Sequence, residues 1–117
     1  MDFLTLRACL AAKPGAVEEF PFDPVTLVAK VGGKMFALVA TDELPLRLNL
    51  KCDPLKAEIL RECFPAVLPG YHMNKRHWNT IVLDGSIPDA DLRAMIDESY
   101  ALVVQGLPRA KRPLSSG

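Results

Sequence analysis

The spacing of apolar positions changes several times along the chain, and each change predicts an element. Phe3, Leu6 and Leu10 recur at helical spacing behind Asp2, whose short carboxylate suits an N-cap, and the run stops at Lys13-Pro14-Gly15. "AVEEFPF" is extended, but Pro21 removes a ladder donor, so it reads as an edge strand or an irregular entry. "VTLVAKV", Gly32-Gly33 and "KMFALVA" predict a hairpin, two β-favouring runs joined by residues that accept positive φ. From Leu46 to Cys52 the alternation is strict. Leu46, Leu48, Leu50 and Cys52 point one way, and Arg47, Asn49 and Lys51 the other, which predicts a strand with one buried and one wet face.

Asp53-Pro54 predicts a second helix start, with Leu55, Ile59, Leu60 and Cys63 as its apolar stripe and Phe64-Pro65 as its end. Thr80 to Leu83, extended through Trp78, predicts a strand that closes at Asp84-Gly85. "SIPDADLRAMIDESYALVVQGLP" predicts a long helix. Ser86 with Asp89, or Asp89 alone, caps it; Leu92, Met95, Ile96, Tyr100 and Val103 share one side; Gly106 and Pro108 close it. The order is helix, three or four antiparallel strands, helix, one or two strands, helix. This predicts an α+β fold, a two-layer sandwich with helices on one face of a mainly antiparallel sheet. The other face, carrying Arg47, Asn49 and Lys51, becomes a candidate working surface.

A chain of 117 residues with half its positions apolar supports one core. Residues 1–108 are read as a single domain and 109–117, with Arg109, Lys111 and Arg112 among Pro, Ser and Gly, as a flexible basic tail. The 14 basic and 14 acidic residues cancel, so any electrostatic function must be local. Residues 47–79 hold six basic against three acidic groups, and residues 80–106 one against five. Cys9, Cys52 and Cys63 form no CxxC pair, which argues against zinc-ribbon and thioredoxin-like readings and for buried free thiols in a reducing compartment. Position 2 is acidic and Arg7 interrupts the first apolar run, unlike a secretion signal. No run approaches the roughly 20 apolar residues of a membrane span. A cytoplasmic monomer away from membranes is the expectation.

The candidate chemistry lies in "PGYHMNKRHWNT", residues 69–80. Histidine is the side chain suited to acid and base work near neutral pH, which makes His72 and His77 candidates, but the segment has no Ser or Cys to activate. His-x4-His with no nearby Cys, Asp or Glu supplies at most two metal ligands, and Lys75 and Arg76 oppose a cation. No catalytic residue, metal site or cofactor is therefore assigned, and an enzyme is not expected. Binding to phosphates or another anion fits better: His72, Asn74, Lys75, Arg76, His77 and Asn79 provide cations and amide donors. Lys30 and Lys34 make the hairpin tip basic, and Arg47 and Lys51 line the wet strand face. Trp78 and Tyr71 read as packing anchors of the segment. Two partners stay open: DNA, held through its phosphates, or a small anionic ligand or protein held in a pocket beside the sheet.

"PGYHMNKRHWNTIVLDGSIPDADLRAMIDESYALVVQGLP" resembles the signature half of the YjbR/MmcQ-like family, with its turn, His-x-Asn-Lys-x-His-Trp motif, strand, Pro-led helix start and mid-helix Ser-Tyr. "VGGKMFALV" and "LNLKCDP" resemble the family's hairpin and its strand-to-helix junction, so the similarity runs from the first helix to Pro108. The resemblance implies a frataxin-like (CyaY-like) fold in a double-wing DNA-binding arrangement. Its motif falls on His72, Asn74, Lys75, His77 and Trp78, with Lys34 from the hairpin and Lys51 from the strand. Frataxins gather iron on an acidic first helix. Here that helix has Asp2 as its one acid and carries Arg7, which argues against iron delivery.

Overall fold

The computed structural model describes residues 1–71 and 73–113; His72, a candidate site residue, and residues 114–117 lie outside them. The elements are α1 (Phe3–Ala11), β1 (Val17–Glu19), β2 (Thr26–Val31), β3 (Lys34–Ala40), β4 (Arg47–Lys51), α2 (Pro54–Cys63), β5 (Val67–Pro69), β6 (Trp78–Val82) and α3 (Asp89–Gln105). The strands form one six-stranded sheet in the order β1-β2-β3-β4-β6-β5, every neighbouring pair antiparallel. This is the α+β architecture that the order of periodicities predicts. No helix among the described residues is long and apolar enough to cross a membrane.

Local chemistry accounts for most boundaries. Asp2 caps α1 by accepting the Thr5 amide at 2.8 Å, and Asp53 caps α2 by accepting the Lys56 amide at 3.3 Å ahead of Pro54. Gly32 and Gly33, at φ 57° and 81°, turn β2 into β3. The long helix departs from its predicted cap. Pro88 occupies the N-cap of α3 with no side-chain bond, and the Ser86 hydroxyl instead donates to Asp84. A proline carbonyl can still accept the first helical amides, and Asp91 and Leu92 both donate to it.

The register places Leu27, Val39, Leu48, Ile81 and Val67 in one row across the sheet, with Ala29, Ala37 and Leu50 beside them. These residues share one core with Leu6 and Leu10 of α1 and with Leu92, Met95, Ile96 and Val103 of α3. The opposite row runs through Val28, Leu38, Asn49 and Thr80. It is not the bare wet face predicted: Val28, Leu38 and Thr80 are buried, and Arg47, Asn49 and Lys51 are half-buried.

Helix α2 corrects a second expectation. Its only buried residue is Ala57, while Leu55, Ile59 and Cys63 are exposed. The helix is rotated so that Ala57, Leu60 and Arg61 face inward. Asn79 on β6 sets this rotation by donating to the Ala57 carbonyl and accepting from the Arg61 guanidinium. The cysteines are free, but only Cys52 is buried; Cys9 is half-buried and Cys63 exposed. After α3, Arg109–Lys111 form a short 3-10 turn, and Arg112 donates to the Gln105 and Leu107 carbonyls.

Candidate nucleic-acid interface

The motif segment is shaped mainly by backbone bonds. The Asn74 carboxamide oxygen accepts the Arg76 amide at 2.9 Å, and its carbonyl accepts the amides of His77 and Trp78. These bonds make a tight turn that leaves Lys75 and Arg76 exposed at its tip. The His77 carbonyl accepts the Cys52 amide at 2.7 Å, tying the turn to the junction of β4 and α2. Asn74 and His77 thus build the loop through backbone and amide contacts.

Arg61 holds the turn from beneath. Its Nε donates to Asn79 Oδ1 at 2.7 Å, and its Nη2 donates to the carbonyls of Lys75 and, at 3.3 Å, Trp78. Asn79 is 2% exposed, so this clamp sits at the edge of the core and the Asn79 carboxamide, expected to face an anion, is instead engaged by Arg61 and the Ala57 carbonyl. A planar guanidinium can serve three acceptors in fixed directions, which a lysine cannot. Arg61 was not legible as a site residue, because its partners lie 14 to 18 positions away in sequence.

Trp78 is half-buried and registers with Lys51 across β4 and β6. Gly70 packs directly on it: a Cβ there would lie 2.9 Å from the Trp78 Cβ and from its carbonyl oxygen, and the Gly70 amide donates to that carbonyl. Tyr71 is anchored through its amide, which donates to Thr80 Oγ1 at 2.9 Å, while the residue is 65% exposed.

The predicted cations divide into two groups. Lys30 pairs with Glu19 at 2.8 Å, and Arg47 lies 3.8 Å from Glu43, so both are partly neutralised. Lys34, Lys51, Lys75 and Arg76 enter no ion pair among the described residues. Lys34 and Lys51 line one groove of 270 Å³ with Met35, Trp78, Leu102, Val103 and Gly106, and no acid contributes to it. Lys75, Arg76 and Arg61 line a second, open groove of 440 Å³ with Pro54, Leu55 and Glu58.

Three of the five acids at residues 80–106 pair with cations elsewhere, while Asp84 and Asp91 enter no ion pair among the described residues. Asp97 pairs with Lys13, Glu98 with Lys56, and Asp89 with the amino terminus. Hydrogen bonding to Glu98, with its charge, raises the Lys56 ammonium above its ordinary value. No group of three or more potential metal ligands occurs among the described residues.

The fold is shared with known proteins. A family model described as YjbR matches residues 11–102. The chain belongs to the YjbR family. It is 40% identical over 109 residues to the uncharacterized protein YjbR of Escherichia coli K12, covering 93% of this chain and 92% of that protein. It is 41% identical over 90 residues to the uncharacterized protein YbdF of Escherichia coli O157:H7, covering 77% and 74%. A crystal structure of a Deinococcus radiodurans protein with a DUF419 domain superposes with a TM-score of 0.86 at 42% identity, covering 96% of this chain and 91% of that one. A Pseudomonas syringae protein at 24% identity and TM-score 0.77 shares the fold. The YjbR family thus spans the sheet, the turn at Asn74–His77 and most of α3.

Proposed function

We propose that this YjbR-family chain binds DNA with low sequence specificity, contacting phosphates through the ends of two turns. The observation that carries the reading is the pairing pattern of the cations. Lys34, Lys51, Lys75 and Arg76 enter no ion pair among the described residues, and Lys34, Lys51 and Trp78 line one groove to which no acid contributes. Cations at turn ends suit backbone contacts more than base reading, which requires side chains held in register within a groove. The double-wing arrangement and CyaY-like fold implied by the family resemblance belong to this reading, with the Gly32-Gly33 hairpin as one wing and the Asn74–His77 turn as the other. It assigns no catalytic step and a cytoplasmic location.

The test is fluorescence anisotropy with a labelled duplex at several salt concentrations. Each phosphate contact contributes about −0.9 to the log-log salt slope, so Lys75→Ala with Arg76→Ala should make the slope shallower by about 1.8. Absence of duplex binding at low salt would remove the proposal.

A second reading is supported by the other groove. Arg61, Lys75 and Arg76 meet one acid, Glu58, beside the exposed Leu55, a combination that suits an acidic protein segment with apolar anchors or a small anionic ligand. Under that reading Leu55→Asp abolishes partner binding, whereas duplex binding does not depend on Leu55.

A further inference from the structure

We infer that the C-terminal turn, Arg109–Lys111, is a third phosphate-contacting element of the same surface, an inference that rests on the DNA-binding reading above. By composition this segment reads as a tail, but its described part is pinned against the hairpin. Gly32 sits at φ 57°, and a Cβ built on it would lie 2.6 Å from Leu107 Cδ1 and 3.0 Å from the Lys111 carbonyl oxygen. Leu107 belongs to the core. Beside it, a Cβ on Gly15 would lie 3.2 Å from Pro113 and 3.7 Å from Val31, the neighbour of Gly32. The chain therefore packs against two adjacent glycine positions, with the backbone of Lys111 close to the turn that leads into Lys34.

The charges of this segment have separate roles. Arg112 donates to the Leu107 and Gln105 carbonyls, both at 3.0 Å, where a cation also suits the carbonyl end of α3. It is a positioning residue. Arg109 and Lys111 are exposed and enter no ion pair among the described residues. The groove that holds Lys34, Lys51 and Trp78 ends on the α3 side at Gly106, and the chain passes from there through Leu107 into the turn. Arg109 and Lys111 thus continue a wall that already carries cations. Because the turn is held in place before any ligand arrives, contact there avoids the ordering cost that a free tail would incur.

With Lys34, Lys51, Lys75, Arg76, Arg109 and Lys111 each neutralising one phosphate, the log-log slope for duplex binding is about −5.4, and Arg109→Ala with Lys111→Ala brings it to about −3.6. Anisotropy titrations of a labelled duplex with the full chain, its Arg109/Lys111 variant and its Lys75/Arg76 variant measure this, with thermal melts monitored by circular dichroism to establish that both variants fold. A shallower slope in folded Arg109/Lys111 protein supports the inference. An unchanged slope in that variant, beside a loss in the Lys75/Arg76 variant, overturns it and leaves the DNA-binding reading standing. Failure of the parent chain to bind duplex at low salt overturns both.

Discussion

Ser99 on α3 hydrogen-bonds the backbone of Lys51 on β4. Its hydroxyl accepts the Lys51 amide at 2.8 Å and donates to the Phe36 carbonyl at 2.6 Å, so one fully buried side chain links the long helix to β3 and β4. These bonds lie where Lys51 enters the candidate groove. The mid-helix Ser-Tyr of the family pattern acquires a structural role here, since Tyr100 also meets the Phe36 ring edge-on, with centroids 5.3 Å apart.

Ser99→Ala removes both bonds and leaves a buried amide and a carbonyl without that partner. An expected loss of about 2–6 kcal/mol follows from about 1–3 kcal/mol for each unsatisfied buried group. Urea unfolding measures it, and a change below about 0.5 kcal/mol would show that water or a shifted backbone replaces the hydroxyl.

Arg61→Ala should loosen the motif turn selectively. Amide exchange at His77 and Trp78 should accelerate, with a stability loss of about 1–3 kcal/mol from the unmet carboxamide and carbonyls. Arg61→Lys should restore little of this, because an ammonium cannot reproduce the planar fork that meets Asn79, Lys75 and Trp78 together. Equal exchange rates in parent and Ala variant would contradict the clamp.

Gly32 and Gly33 offer an internal comparison. Both have positive φ, but a Cβ on Gly33 meets nothing within 4 Å, whereas one on Gly32 collides with Leu107 and approaches the Lys111 carbonyl. Gly33→Ala should cost about 1–2 kcal/mol for the backbone alone, and Gly32→Ala about 1–3 kcal/mol more for the crowding. Similar thermal midpoints for the two variants would argue that the C-terminal turn is free to move aside.

Thiol labelling should separate the cysteines by place. Cys63 is exposed and should react first with a disulfide reagent; Cys9, half-buried with Arg93 Nη1 3.0 Å from its sulfur, should be slower. Burial, with the nearby Glu98 charge, pushes the Cys52 thiol up and should protect it until the chain unfolds. Rapid labelling of all three in native buffer would contradict the placement of Cys52.

Acid should destabilise the fold through its turn and cap carboxylates. Thr5 hydrogen bonds hold Asp2 below the ordinary carboxylate range, the Val25 and Thr26 amides do so for Asp23, and the Ser86 hydroxyl and amide for Asp84. Depressed folded-state values mean that the unfolded chain binds protons first. The contribution is complete above the unfolded pKa and is lost as pH falls through the folded one, below about pH 4. Urea midpoints from pH 2 to 6 should therefore fall toward acid, and Asp84→Asn should flatten the curve.

Local signals fixed the elements because they act over a few residues. The carboxylates at Asp2 and Asp53 cap helices whose first amides lie within three positions, and Gly32-Gly33 supplies the φ angles that a two-residue turn requires. The alternation from Leu46 to Cys52 likewise identified β4 and the sides of its residues. Exposed Lys75 and Arg76 were legible because no packing pattern absorbs them.

What the sequence could not decide depends on which distant group meets each side chain. Leu55 and Ile59 share a helical stripe that predicts burial, yet Asn79 fixes α2 through Ala57 and Arg61 and turns that stripe outward. Lys30 looks the same as Lys34 and Lys51 in sequence until the pairing of β1 with β2 brings Glu19 to it, whereas the partner of Arg47, Glu43, lies only four positions away. The basic end after Pro108 reads as a tail by composition, and only the close approach of Leu107 and Lys111 to Gly32 gives it a position. Periodicity and capping are properties of neighbouring residues, so the chain alone determined its α+β elements; charge neutralisation, helix rotation and the shape of the groove arise from contacts across the fold, and only the tertiary structure decided those.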